Sequence, residues 1–313
     1  MQRKLIIGAG VLLALPLLFL GAERVNPSGM AAFLIGLERS RAGLHPEIAQ
    51  LGSGPVAYLT GGKQDGETIV LIHGIGANKD HFTRVSAALT GKYRVIALDL
   101  PGFGESGRDP NLHYDITSQA ERVKEFLDTL GIHRFHLGGS SMGGFIAMRY
   151  AALHPEQAQS LWLLDPGGVE GAKESEMKAS YRLNGRSPLF ARRVKDLDEI
   201  FKLGFVHPPL VPWSDKQRVA ERMVADEALH QKIYAEAFST DRINSEAPKI
   251  TAPTLIVWGA EDRILDVSGG EVLVKLIPHA KLQVMSGVGH LPMLEAPSKS
   301  AESYLEFLGQ LPR

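Results

Sequence analysis

The chain has 313 residues, of which 44% are hydrophobic and 22% charged, and a formal net charge of −1. That length can bury a full core without covalent staples, and a near-neutral balance with no basic stripe excludes a nucleic-acid-binding face. The absence of cysteine excludes disulfides, thiolate metal sites and a cysteine nucleophile.

Leu5 to Leu20 is uncharged and almost wholly apolar. It falls between a signal-peptide core of about 7–15 residues and a membrane span of about 17–25. Cleavage after Ala22 or Gly21 would place Leu20 or Phe19 at the −3 position, where a small residue is wanted. Residues 1–24 are therefore expected to stay as a transmembrane anchor rather than leave as a signal peptide. Arg3 and Lys4 precede the run, which holds the N-terminus in the cytoplasm. The remaining chain would face the periplasmic, extracytoplasmic side of the inner membrane. Residues 25–50 are expected to form a juxtamembrane helix and linker. Met30, Phe33, Leu34 and Leu37 recur there at helical spacing, closed by Arg39 and Arg41. Such a helix suits lipid, the domain itself or a second copy, and a homodimer through residues 5–41 is an expectation.

Strands are predicted at Val56–Thr60, Thr68–Ile72, Arg94–Asp99, around Phe135–Leu137, and at Ser160–Leu164, Thr254–Trp258 and Lys281–Met285. Helices are predicted at Asp115–Gly131, Phe145–Leu153 and Pro297–Leu311. Alternating strands and helices imply a mostly parallel sheet covered on both faces. Residues 51–167 and 248–313 form this core. Residues 168–247 break the pattern: they are rich in Lys, Arg and Glu, interrupted by Pro188, Pro208, Pro209 and Pro212, and offer no convincing strand. They read as an inserted helical cap, with an apolar cluster running from Phe201 to Trp213.

The stretch Gly139-Ser-Ser-Met-Gly143 matches G-x-S-x-G between a strand and a helix. A sharp strand-to-helix turn strains the central serine and exposes its hydroxyl. Centring on Ser140 would put Met142 where the second glycine belongs, so Ser141 is the candidate nucleophile. A serine hydroxyl needs a base, usually a histidine oriented by a buried carboxylate. Asp262 follows one later strand and His290 the next, in the order Ser, Asp, His. Asp165 is the alternative acid, and Asp99 reads as a structural turn residue. Oxyanion donors are expected from the backbone N–H groups of Met142 and of Ile75, in the loop His73-Gly-Ile-Gly76. His73, Gly74, Phe205, Val206 and Leu291 are expected to touch substrate. No metal and no cofactor is implied.

Taken together, His73-Gly-x-Gly, Asp99-x-Pro-Gly-x-Gly-x-Ser106, Gly139-x-Ser-Met-Gly-Gly144, Trp258-Gly-x-x-Asp262 and Gly289-His290 resemble the α/β-hydrolase superfamily over residues 56–311. The resemblance implies an eight-stranded, mostly parallel sheet flanked by helices. The Ser-Met-Gly-Gly elbow, the segment Trp258–Ser268 and the apolar N-terminus are similar to membrane-anchored monoacylglycerol lipases and to bacterial family V lipases and esterases. They imply a serine hydrolase of monoacylglycerol, lysophospholipid or phospholipid acyl esters. A serine-type C–C hydrolase of vinylogous diketones, which shares the Ser-Met-Gly-Gly elbow, and a non-catalytic hydrolase-fold binder are the competing readings.

Overall fold

The computed structural model describes residues 21, 23–185, 187–239 and 242–311. The expected anchor at Leu5–Leu20 lies outside the described residues. Among those described, no helix is long and apolar enough to cross a membrane.

Three strands, β3 (Thr68–Ile72), β5 (Phe135–Ser140) and β7 (Thr254–Gly259), are buried along their whole length. That is the condition of central strands covered on both faces. Around them the eight strands run in the order β1-β2-β4-β3-β5-β6-β7-β8. The edge is antiparallel: β1 (Leu44–Leu51) pairs with β2 (Gly54–Gly62), and β2 with β4 (Arg94–Leu98). From β4 to β6 (Ala158–Leu164) and on to β8 (Ala280–Met285) every pairing is parallel.

One expected boundary is corrected. Residues 25–50 are not wholly helix and linker, because Leu44–Leu51 joins the sheet as β1. This strand lies at the edge, exposes most of its side chains and carries Pro46, so neither alternation nor composition marks it.

Alternate side chains divide the core between the two faces of the sheet. Val70, Ile72, Ile96 and Leu98 pack under α3 (Ile116–Thr129) and α4 (Met142–Leu153). Ile69, Leu71, Val95 and Ala97 pack under α2 (Thr83–Leu89) and α11 (Pro297–Gly309). Asp115 caps α3 by accepting from the Ser118 N–H at 2.9 Å, and Gly131 ends it at φ 67°.

Between β6 and β7 the described residues form four α-helices: α5 (Glu176–Asn184), α6 (Asp196–Gly204), α7 (Trp213–Ala225) and α8 (Glu227–Phe238). Among the described residues this segment contains no strand. Ala191, Leu197, Ala220 and Met223 form its own small core. The apolar cluster splits: Leu203 and Phe205 are buried, whereas Val206, Trp213 and above all Leu210, 94% exposed, face outward.

The helix α1 (Pro27–Arg41) packs against α7 and α2. Just before it, Glu23 accepts from Ser214 Oγ at 2.9 Å and Arg24 lies 4.3 Å from the Trp213 ring centroid. Near its end Arg39 grips Asp80 through two 2.7 Å bonds, and Arg84 donates to Glu38 at 2.8 Å. Its inner face is thus docked on the domain, while Phe33 and Leu37 remain exposed. Behind α8 come α9 (Ser268–Leu276), between β7 and β8, and the short α10 (Pro292–Glu295).

Candidate active site

Ser141 is the junction between β5 and α4, and its backbone stands at φ 55°, ψ −118°. A positive φ on a non-glycine residue costs roughly 1–3 kcal/mol and persists only where the surroundings impose it. Here three hydrogen bonds do so: the Ser141 N–H donates to Leu164 O at 2.9 Å, and its carbonyl accepts from Phe145 N–H at 3.1 Å and Gly167 N–H at 2.9 Å. The two glycines of the motif are required for packing. A Cβ on Gly139 would lie 2.2 Å from Gly143 O, and one on Gly143 only 2.1 Å from Ile72 O. Both obstacles are backbone and cannot rotate away. Ser140 is fully buried, its hydroxyl enclosed, whereas Ser141 borders open cavities.

His290 comes from the loop after β8, anchored by its N–H to Gly204 O at 2.9 Å. Its Nδ1 lies 2.7 Å from Asp262 Oδ2. Asp262 is itself held by four donors. Oδ1 accepts from Ile264 N–H at 2.8 Å and Leu265 N–H at 2.9 Å, and Oδ2 accepts from Trp258 Nε1–H at 3.2 Å as well as from the imidazole. A carboxylate so fixed puts the proton on Nδ1 and leaves Nε2 as an acceptor. Ser141 and His290 border one cavity, together with Gly74, Ile75 and Leu291.

Gly74 presses its backbone against the serine: a Cβ there would sit 3.0 Å from Ser141 Cβ. Ile75 follows, and Met142 is the first residue of α4, where backbone N–H groups have no helical partner. The residues expected as oxyanion donors thus flank Ser141 from two sides.

Two expected substrate contacts are corrected. His73 is fully enclosed. Its Nδ1–H donates to Gly74 O at 2.7 Å and its Nε2 accepts from Leu100 N–H at 3.0 Å. Burial drives its pKa down to about 4, so the ring is a neutral strut that ties the Gly74–Gly76 loop to the end of β4. Val206 lies on an outer groove with Leu210 and Pro208, away from the Ser141 cavity wall, and donates its N–H to Glu295 at 3.0 Å. Its neighbour Phe205 does line the Ser141 cavity. Asp99 is structural, as expected: it takes 2.7 Å bonds from the Lys79 N–H, Lys79 Nζ and Glu105 N–H.

Asp165, the alternative acid, is fully buried at φ 45° beside Asp262. Polar atoms of Asp165, Asp262 and His290 all lie within 4.8 Å of one another. Among the described residues the imidazole pairs with Asp262, and no hydrogen bond joins it to Asp165. Trp258 is a site residue that motif reasoning missed as such; its position in Trp258-Gly-x-x-Asp262, four residues before the acid, was the available clue.

Two spaces meet at Ser141. One, about 200 Å³, runs under α6 and α7; Leu197, Ile200, Phe201 and Phe205, with Ile35 of α1, make it mainly apolar, and Glu38, Asp80, Arg84, Asp215 and Arg218 also border it. The other, about 850 Å³, runs between α5 and α8 past Tyr181, Phe190, Tyr234 and Phe238. Among the described residues it is bordered by Lys178, Arg192 and Arg242 and by one carboxylate, Asp266, while Arg192 is itself paired with Glu227 at 3.1 Å.

Residues 67–297 match the family model of the alpha/beta hydrolase fold. The chain belongs to the α/β hydrolase family. Lipase 3 of Moraxella sp. (strain TA144) is 35% identical to this hydrolase over 88% of both chains. Monoacylglycerol lipase ABHD6 of Homo sapiens is 27% identical over 97% of this chain and 94% of its own. Among solved structures, one described as a membrane phospholipase A and bacterial virulence factor superposes with a TM-score of 0.89 at 40% identity, covering 99% of this hydrolase and 98% of that chain. With these relatives the hydrolase is an enzyme of the carboxylic ester hydrolase class, which sets aside the non-catalytic reading.

Proposed function

We propose that this hydrolase cleaves acyl esters of membrane lipids, with Ser141 as nucleophile, His290 as general base and acid, and Asp262 as the orienting carboxylate. His290 Nε2 removes the Ser141 proton as Oγ attacks the ester carbonyl. Charge on the carbonyl oxygen is met by the Ile75 and Met142 N–H groups. The imidazolium, held by Asp262, protonates the departing alcohol. Water then attacks the acyl-serine with His290 again as base, releasing the fatty acid. The observation that carries this reading is the strained Ser141 opening on one cavity with a His290 already hydrogen-bonded to Asp262.

The two spaces at Ser141 support a phospholipid or lysophospholipid over a neutral glyceride. The apolar arm suits the acyl chain. The wider arm suits a bulky leaving group, and Lys178 and Arg242 on its border, with Asp266 the one lining carboxylate among the described residues, favour a phosphate diester. Burial and the nearby Arg242 lower the Lys178 pKa, as expected where two like charges share one mouth. The test is a pair of substrates with one acyl chain, a lysophosphatidyl ester and a monoacylglycerol. The double variant Lys178→Ala/Arg242→Ala is expected to raise KM for the phosphate ester about tenfold and to leave the glyceride unchanged. Equal losses on both would remove the head-group assignment.

The apolar Leu5–Leu20 supports an inner-membrane anchor with the catalytic domain on the periplasmic side, and the exposed Phe33 and Leu37 support a homodimer through residues 5–41. Deleting residues 1–24 is expected to move the protein to the soluble fraction and to slow hydrolysis of vesicle-embedded lipid, with short soluble esters cleaved as before. Sedimentation of both forms checks the dimer; an unchanged mass on deletion would exclude the anchor's part in it.

A further inference from the structure

Asp165 is the one buried acid beside the Asp262–His290 pair that the mechanism leaves without a task. It directly follows β6, one strand away from the acid loop, and is held at φ 45°. Its N–H donates to Val257 O at 3.0 Å, and its Oδ1 accepts from Gly259 N–H at 2.9 Å. Its Oδ2 has no hydrogen-bond donor among the described residues, although it is enclosed in protein. Asp262, in contrast, receives four. Both carboxyls crowd the same imidazole, with ligand atoms of all three within 4.8 Å. Glu295 of α10 adds a third negative charge to the surroundings of Asp165.

Two carboxylates cannot both stay ionised in an enclosed space. The donors are unevenly divided, so the charge settles on Asp262 and the proton on Asp165. The Asp165 Oδ2, bare as an acceptor, is satisfied once it carries a hydrogen to donate. We propose that Asp165 is a positioning residue whose protonated carboxyl group donates a hydrogen bond to Asp262, keeping the single negative charge of the pair on Asp262 against His290. Burial first, and the Asp262 charge second, push the Asp165 carboxyl well above its usual range, in keeping with that geometry. The consequence for catalysis is a further donor on the acid, which limits its rotation while the imidazolium forms.

The inference rests on the reading of Asp262 and His290 as acid and base. Asp165→Asn keeps a donor in place without a titratable group. It should hold kcat/KM near pH 7 within about threefold and leave the acidic limb of the kcat/KM profile where it stands in the wild type. Asp165→Ala, which removes the donor, should lower kcat about tenfold with KM unchanged. If Asp165 were ionised, the asparagine variant would strip a charge from beside the imidazole and shift the acidic limb down by about half a unit or more. That shift would overturn the proposal, as would equal kcat in the asparagine and alanine variants.

Two measurements need no turnover. A protonated-carboxyl C=O band in the infrared spectrum at pH 7 should vanish in Asp165→Asn. The folded-state pKa lies above the unfolded value of about 3.9, so wild-type stability falls relative to Asp165→Asn as pH rises from there towards the folded pKa. The Tm gap between the two should therefore widen between pH 4 and pH 8. A missing band or a pH-independent gap overturns the proposal even if Ser141, Asp262 and His290 prove catalytic. If instead Ser141→Ala retained turnover, the mechanism would fail while the band and the Tm gap still reported on Asp165.

Discussion

Ser141→Ala is expected to lower ester turnover by about 10⁴-fold or more and to abolish covalent labelling by a fluorophosphonate, with the fold intact. The physical reason is that the neighbouring hydroxyl of the elbow cannot take its place. Ser140 is the only adjacent candidate, and its side chain is buried in the sheet with no opening to either cavity. Alanine keeps a Cβ at φ 55°, so it neither relieves nor adds to the backbone strain, and Tm should stay near that of the wild type. Glycine at the same position accepts positive φ without penalty and should raise stability by about 1 kcal/mol while remaining inactive. Persistent labelling of the alanine variant would place the nucleophile elsewhere and undo the mechanism.

Asp262→Asn is the second large effect, a fall in kcat of about 10⁴-fold with little change in KM. An amide can accept the two backbone bonds from Ile264 and Leu265 on its oxygen, but its NH2 group then faces His290 Nδ1 and Trp258 Nε1–H. That orientation favours the tautomer with the proton on Nε2, which cannot accept from serine, and it leaves the imidazolium without a counter-charge. Rotating the amide instead would set NH2 against two backbone N–H donors. Steady-state kinetics over a pH range checks the outcome; a loss of Tm without a loss of kcat per folded molecule would make Asp262 structural.

The elbow was legible because its constraint is local. Gly139 and Gly143 are required by contacts within a few residues of Ser141 and by the neighbouring strand, so their spacing alone marks the turn. Asp262 and His290 were legible because parallel strands deliver their following loops to one edge of the sheet, and chain order is then enough to pick them out. The strand β1 was not legible, since an exposed edge needs no apolar alternation and tolerates Pro46. The histidine of His73-Gly-x-Gly invited a substrate role, and only the partners of both ring nitrogens reveal a strut. Phe205 and Val206 show the limit of assigning an apolar cluster to one surface: Phe205 borders both the Ser141 cavity and the outer groove, whereas Val206 borders the groove and not the cavity. The surroundings of Asp165 depend on a carboxyl nearly a hundred residues away in the chain, which no local pattern encodes.

The docking of α1 also sets a ruler. Ile35 and Glu38 of this helix form part of the wall beside Ser141, and the Arg39–Asp80 grip keeps the helix from swinging away. At 1.5 Å per residue, Ile35 stands about 12 Å along the axis from Pro27. If the chain enters the bilayer just before Glu23, which is docked on Ser214, the four residues to Pro27 add at most about 14 Å, so the wall of the cavity rises no more than about 26 Å above the point of entry, whatever the tilt of the helix. The cavity is then kept over the membrane on a tether too short to let the domain drift into bulk water.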